Sequence, residues 1–152
     1  MKLYLEPVTR DNWEAALALK VKEEQSDYVP SVAVSLAKVF IKPDGENVEY
    51  LPFAIFDQDQ MVGFIMHAYD DNTSNMYWIN GFLIDESHQK KGYGKQAMLE
   101  MIHWITMKFP QCKEIRLTVH KANRVARKLY EALEFVATGE IYGEENVMRR
   151  VV

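Results

Sequence analysis

Near the middle of the chain, Gln89-Lys90-Lys91-Gly92-Tyr93-Gly94-Lys95 combines two glycines with three lysines. That composition suits the holding of an anion. An apolar run precedes it (Met76 to Trp78, Ile79, Phe82, Leu83, Ile84), and helical spacing follows it (Ala97, Met98, Met101, Ile102, Ile105). The pattern predicts a buried strand, a basic turn and a helix start. The first turn of a helix leaves its N–H groups unpaired, and the helix dipole favours negative charge there. Glycines at 92 and 94 let a ligand approach the backbone without meeting a Cβ. Each dipole contact contributes roughly 0.3–1 kcal/mol, so useful affinity needs several oxygens, as in a pyrophosphate. Taken alone, the pattern also fits a plain tight turn.

The spacing argues against two common phosphate sites. There is no G-x-x-x-x-G-K-[ST] P-loop, and no third glycine completes a dinucleotide fingerprint. Asn123 and Tyr130 lie seven residues apart, close to two helical turns, so both fall on one helix face. Read from its helix alone, Tyr130 is a core aromatic. Glu23-Glu24-Gln25-x-x-Tyr28 places two carboxylates near an aromatic ring. That suits an alkyl ammonium through ion pairing and cation–π contact, and it equally suits a polar helix end. His67, His88, His103 and His120 show no metal-ligand spacing, so no metal site is expected. Met98, Met101 and Met107 read as core packing.

The elements that position these residues follow in order. Leu3 to Val8 predicts a first strand. A helix with apolar positions Trp13, Ala16, Leu17 and Val21 comes next, capped by Thr9 or Asp11. Ser31 starts a second helix, Val32 to Ile41, which Pro43 stops. Leu51 to Phe56 and Met61 to Ala68 predict a hairpin, ahead of the central strand and its helix, which Pro110 closes. Glu114 to Val119 alternates as a strand. A helix opening at Asn123 follows, with Ala126, Leu129, Tyr130 and Leu133 on one stripe, and Phe135 to Ile141 and Asn146 to Val151 close the chain as two strands. The order β-α-α-β-β-β-α-β-α-β-β predicts a single α/β (α+β) domain spanning residues 1–152.

At 152 residues with five prolines and seven glycines, the chain fits one folded domain without disordered linkers. No apolar run approaches the ~20 residues of a membrane span, and no signal-peptide pattern is expected. The single Cys112 excludes an internal disulfide and a cysteine-based zinc site, so the cytoplasm is the expected compartment. The net charge of −4 hides a division: residues 1–87 carry fifteen acids and six bases, residues 88–152 seven acids and twelve bases. A basic half suits an anionic cofactor, an acidic half a cationic substrate, and nucleic acid is not an expected partner. A chance split across solvated faces gives the same balance.

Gln89 to Gly94, directly after the central strand, resembles the acyl-coenzyme A signature [QR]-x-x-G-x-[GA] of the GNAT N-acetyltransferase superfamily. Asn123, Ala126 and Tyr130 are a second point of likeness, and the resemblance runs over nearly the whole chain; it implies that superfamily's fold, a mixed central sheet flanked by about four helices. One departure is Glu134 before Phe135, where the family often has glycine. The resemblance implies that acetyl-CoA binds at Gln89, Lys90, Lys91, Gly92, Tyr93, Gly94 and Lys95. It further implies that the backbone of Phe82, Leu83 and Ile84 faces the acetyl-pantetheine. Asn123 and Ala126 would meet the pantetheine arm, and Tyr130 would give a proton to the departing sulfur as the catalytic acid.

The chain as a whole, including Gly139 to Arg150, resembles bacterial spermine/spermidine (diamine) acetyltransferases. A polyamine is therefore the expected acceptor, bound by Glu23, Glu24, Tyr28 and Asn80, with a homodimer as the expected assembly. Those relatives often carry an acid where this chain has Asn80, which cannot take a proton. Glu24, Asp85, His67 or a water chain are the substitutes open at this point. Transfer to another small amine, and a CoA-binding module without turnover, are the competing readings.

Overall fold

Apolar alternation organises residues 2–152, described here in a computed structural model, into seven strands. These are β1 (Leu3–Pro7), β2 (Glu49–Asp57), β3 (Gln60–Tyr69), β4 (Tyr77–Ile84), β5 (Glu114–His120), β6 (Val136–Tyr142) and β7 (Glu145–Val151). They form one sheet in the order β1-β2-β3-β4-β5-β7-β6. Every neighbouring pair is antiparallel except β4 with β5. Four helices flank it: α1 (Trp13–Leu17), α2 (Val32–Ile41), α3 (Tyr93–Lys108) and α4 (Arg124–Ala132). The element order is the expected one.

Two apolar layers hold the helices to the sheet. On one face Ala97, Met98, Met101 and Ile105 of α3 and Tyr130 of α4 pack with Ile55, Ile65, Tyr77 and Ile115. On the other, Ala16 and Val32 join Tyr50, Phe64, Met66 and Leu83. Fully burying each large side chain contributes about 1.5–3 kcal/mol, so α3, with six buried residues, is firmly seated. Met107 departs from the expected core stripe and is exposed, because it lies two residues past Ile105 and so on the opposite side of the helix.

Two local differences from the sequence expectation bear on the site. First, α1 stops at Leu17 instead of running to Val21, and its N-cap is Asn12 rather than Thr9 or Asp11. A five-residue helix has little cooperative support of its own. Long-range bonds take over from it: the Lys20 N–H donates to Asp85 Oδ1 at 3.0 Å, and the Glu86 N–H to the Lys20 carbonyl at 2.8 Å. Second, β4 contains a bulge. Met66 pairs with Asn80, but Phe64 pairs with Leu83, so β4 carries one extra residue around Gly81. Gly81 has φ +62°, a backbone region that glycine enters without a Cβ penalty. The bulge exchanges faces along the strand. Tyr77 and Ile79 before it, and Phe82 and Ile84 after it, all pack on the α3 layer.

Candidate active site

β4 ends at Ile84, and Asp85 folds the chain into one 3₁₀ turn, Glu86–His88, by accepting the Ser87 N–H. Gln89 then fixes the exit. Its Nε2 donates to the Ile84 carbonyl at 3.0 Å and to Gln25 Oε1 at 2.9 Å. Lys90 and Gly92 both take positive φ, 63° and 84°. Alternation of this kind turns successive N–H groups toward one side, making a concavity for an anion. α3 starts there without a side-chain cap. A Cβ on Gly94 would meet only Leu129 Cδ2 at 3.4 Å and Phe82 Cζ at 3.8 Å, so packing does not demand glycine. What the glycine leaves open is direct access to the helix start.

The parallel strands β4 and β5 share a single registered pair, Trp78 opposite Arg116. Beyond it they separate, and a cleft of about 490 Å³ opens between them. Ile79 to Ile84 line one side, Thr118 and Val119 the other, and Gly92 to Lys95 one end. Asn123 starts α4 at the edge of this cleft by accepting the Ala126 N–H at 3.2 Å. Ala126, Leu129 and Tyr130 of that helix line it. Tyr130 is buried to 8% exposure, and burial, then the charge of Glu145, lifts its phenol well above the ordinary range.

Opposite the α3 end, several polar groups gather. Tyr28, Asn80, Thr118 and Glu145 all line the cleft. Glu145 Oε2 accepts the Thr118 hydroxyl at 3.3 Å. The Tyr28 ring lies tilted on His120 with centroids 5.0 Å apart, and its hydroxyl donates to the Ala122 carbonyl at 3.5 Å. Asn80 Oδ1 and Ser35 Oγ are buried with no hydrogen-bond partner. The half-buried Lys22 and Lys38 also line the cleft.

Residues 13–135 match the Acetyltransferase (GNAT) family. This chain belongs to that family. It is 32% identical over 154 residues to a spermine/spermidine N(1)-acetyltransferase of Bacillus subtilis, with 97% of each chain covered. Among solved structures, the RimL ribosomal L7/L12 α-N-protein acetyltransferase in complex with coenzyme A superposes with a TM-score of 0.76 at 15% identity, covering 99% of this chain and 94% of that one. The spermidine N-acetyltransferase of Vibrio cholerae in complex with CoA and spermine gives 0.70 at 20% identity, covering 99% and 94%.

GNAT acetyltransferases use acetyl-CoA, and the cleft fits it. An uncapped helix start with open glycines suits a diphosphate, and a wedge between diverging strands suits an extended arm with amides of its own. The structure brings together Asn80, Phe82, Leu83, Ile84, Gln89, Lys90, Gly92, Tyr93, Gly94, Lys95, Asn123, Ala126, Tyr130 and Tyr28 around this one space. It leaves Glu23, Glu24 and Lys91 outside the lining, all three exposed to solvent. Glu23 and Glu24 sit on a single 3₁₀ turn, Glu23–Gln25, that presents Gln25 inward and its acids outward. Tyr93 lines the cleft, but its hydroxyl donates to Asp57 Oδ2.

Of the side chains open as substitutes for an acid at position 80, Glu24, Asp85 and His67, none lines the cleft. His67 is fully buried among Tyr69, Tyr77, Trp104 and Phe109, and burial pushes its pKa down to about 4. Asp85 is held by the Lys20 and Ser87 N–H groups. Sequence reasoning missed Glu145, Thr118 and Lys38. Only the strand pairing brings Glu145, near the end of the chain, to the wedge.

Proposed function

We propose that this GNAT N-acetyltransferase moves acetyl from acetyl-CoA to a primary amine of a polyamine, by direct attack with both molecules in the cleft. The wedge beyond Trp78 carries the reading. It joins an anion-receptive helix start at one end to a polar, aromatic pocket beside Tyr130 at the other. The likeness to a spermine/spermidine acetyltransferase over nearly the whole chain supports the choice of acceptor.

Bound acetyl-CoA supplies an acetyl group activated on sulfur. The N–H groups at the start of α3, with Lys90 and Lys95, hold its diphosphate. The edge of β4 that β5 leaves open around Phe82 to Ile84 aligns the arm and offers its outward N–H to the carbonyl oxygen as it gains charge. Asn123 and Ala126 flank the arm from α4. Tyr130 donates to the sulfur. Burial makes the phenol a weaker acid than usual, so it acts first as a hydrogen-bond donor and yields its proton as the C–S bond breaks. Tyr28 places an aromatic face beside the acceptor.

Lys38 favours a second reading, an acceptor that carries a carboxylate as well as an amine, such as an amino acid. A cation in the cleft repels a polyamine and attracts that carboxylate. An acceptor panel of spermine, spermidine, amino acids and aminoglycosides, followed by release of free thiol from acetyl-CoA, separates the two. The polyamine reading expects the highest kcat/KM for spermine or spermidine. Preference for amino acids would replace it, and no turnover with any amine would remove both.

A further inference from the structure

We infer that Glu145 is the carboxylate that takes the proton from the acceptor nitrogen, acting across the cleft from Asn80. The inference rests on the acetyl-transfer reading and assigns a residue to a step that reading leaves without one.

The sheet geometry carries it. Trp78 of β4 is paired with Arg116 of β5, and side chains two residues apart on a strand share a face. Asn80 and Thr118 are therefore the first residues on that face beyond the last pair, one on each side of the opening. Thr118 is paired with Val147 of β7, so Glu145, two residues earlier, shares the face as well. The 3.3 Å bond from the Thr118 hydroxyl to Glu145 Oε2 confirms the parity and aims the carboxylate at the opening. Among the described residues lining the cleft, Glu145 is the only acid. Asn80 Oδ1, buried and unpartnered on the far side, is an acceptor in search of an N–H. A nitrogen seated between these two groups donates to both. Tyr130 lines the same cleft.

The proton chemistry sets what Glu145 can do. A carboxylate is a far weaker base than an alkyl amine and cannot strip an alkyl ammonium, so the amine enters neutral. When its nitrogen bonds to the acetyl carbon, the nitrogen becomes positive and strongly acidic, and transfer to a carboxylate runs downhill. The C–N bond forms and the C–S bond breaks. One nitrogen proton passes to Glu145, and the sulfur takes one from Tyr130. Glu145 then releases its proton to solvent while the phenolate recovers one. The balance is amine plus thioester giving amide plus thiol.

The test is steady-state kinetics with the best acceptor of the panel, on wild type, Glu145→Gln and the double variant Asn80→Asp/Glu145→Gln. Glu145→Gln keeps an oxygen for Thr118 and should lower kcat by about 10²-fold, with the KM for acetyl-CoA and the melting temperature unchanged. The double variant returns a carboxylate to the other side of the opening and should recover at least tenfold of the loss. A loss in Glu145→Gln below about tenfold would overturn the assignment. So would a full loss without recovery in the double variant, which would make Glu145 a structural support of β7. Wild-type inactivity with every amine would instead sink the acetyl-transfer reading, and this inference with it.

Discussion

At the scale of single residues, the cleft sets the protonation of its side chains by controlling what surrounds them. Tyr130 is a phenol that burial keeps protonated throughout the working pH range. Tyr130→Phe, which keeps the ring packed against Phe135, should lower kcat at least ~10-fold with little change in the Kd for acetyl-CoA, measured by calorimetry. An unchanged kcat would remove Tyr130 from its role. The acceptor amine sets the pH dependence: near pH 7.4 about one alkyl amine in a thousand is neutral, a cost of about 4 kcal/mol. The value of kcat/KM should therefore climb nearly tenfold per pH unit from pH 7 towards 9. No falling limb from Tyr130 should appear in that interval, because its pKa is raised. A flat profile would mean that the protein, not solution, deprotonates the amine. His67 contributes nothing there, since its pKa of about 4 leaves it neutral over the same interval.

At the scale of elements, two glycines do different work. Gly92 starts α3 with φ 84° and no side-chain cap. Gly92→Asp adds a negative charge where the cofactor's diphosphate would sit, whereas Gly92→Asn tolerates the same backbone with no charge. Acetyl-CoA should raise the melting temperature of wild type and of Gly92→Asn, and should leave Gly92→Asp unmoved. A normal shift in the aspartate variant would take this turn out of the binding site. Gly81 answers to packing. A Cβ there would stand 2.6 Å from Ser35 Oγ, on a backbone of φ +62°. Gly81→Ala should cost about 2–4 kcal/mol of stability in urea unfolding, from the left-handed backbone and the overpacking together. Adding Ser35→Gly should return the packing part but not the backbone part. Full additivity of the two substitutions would show that Ser35 and Gly81 do not press on one another.

At the scale of the whole molecule, both substrates would meet in the cleft between β4 and β5, and among the described residues lining it there is no cysteine. Cys112 is buried at the far end of β5, where its thiol donates to the Glu114 carbonyl and burial pushes its pKa up to about 11. Initial-velocity plots with both substrates varied should intersect, and mass spectrometry of enzyme mixed with acetyl-CoA alone should find no acetylated protein. Parallel lines with a covalent adduct would refute direct attack. Much of this was legible in the residues themselves. The order of elements, the bounds of α2 and the turn from Gln89 to Gly94 depend on local signals: apolar period, Ser31 as a cap, Pro43 as a stop, and glycines where φ is positive. Even the glycine-free turn after α4 is made locally, by Glu134 at φ 69°. Sequence alone placed two acids, Glu23 and Glu24, beside the acceptor, and the fold turns both to solvent. It could not show that β4 and β5 part after one pair, that a bulge at Gly81 exchanges the faces of β4, or that Glu145 arrives beside Thr118. Those are consequences of pairing between residues far apart in the chain, and no local period records which distant strand will lie alongside, or where it will leave.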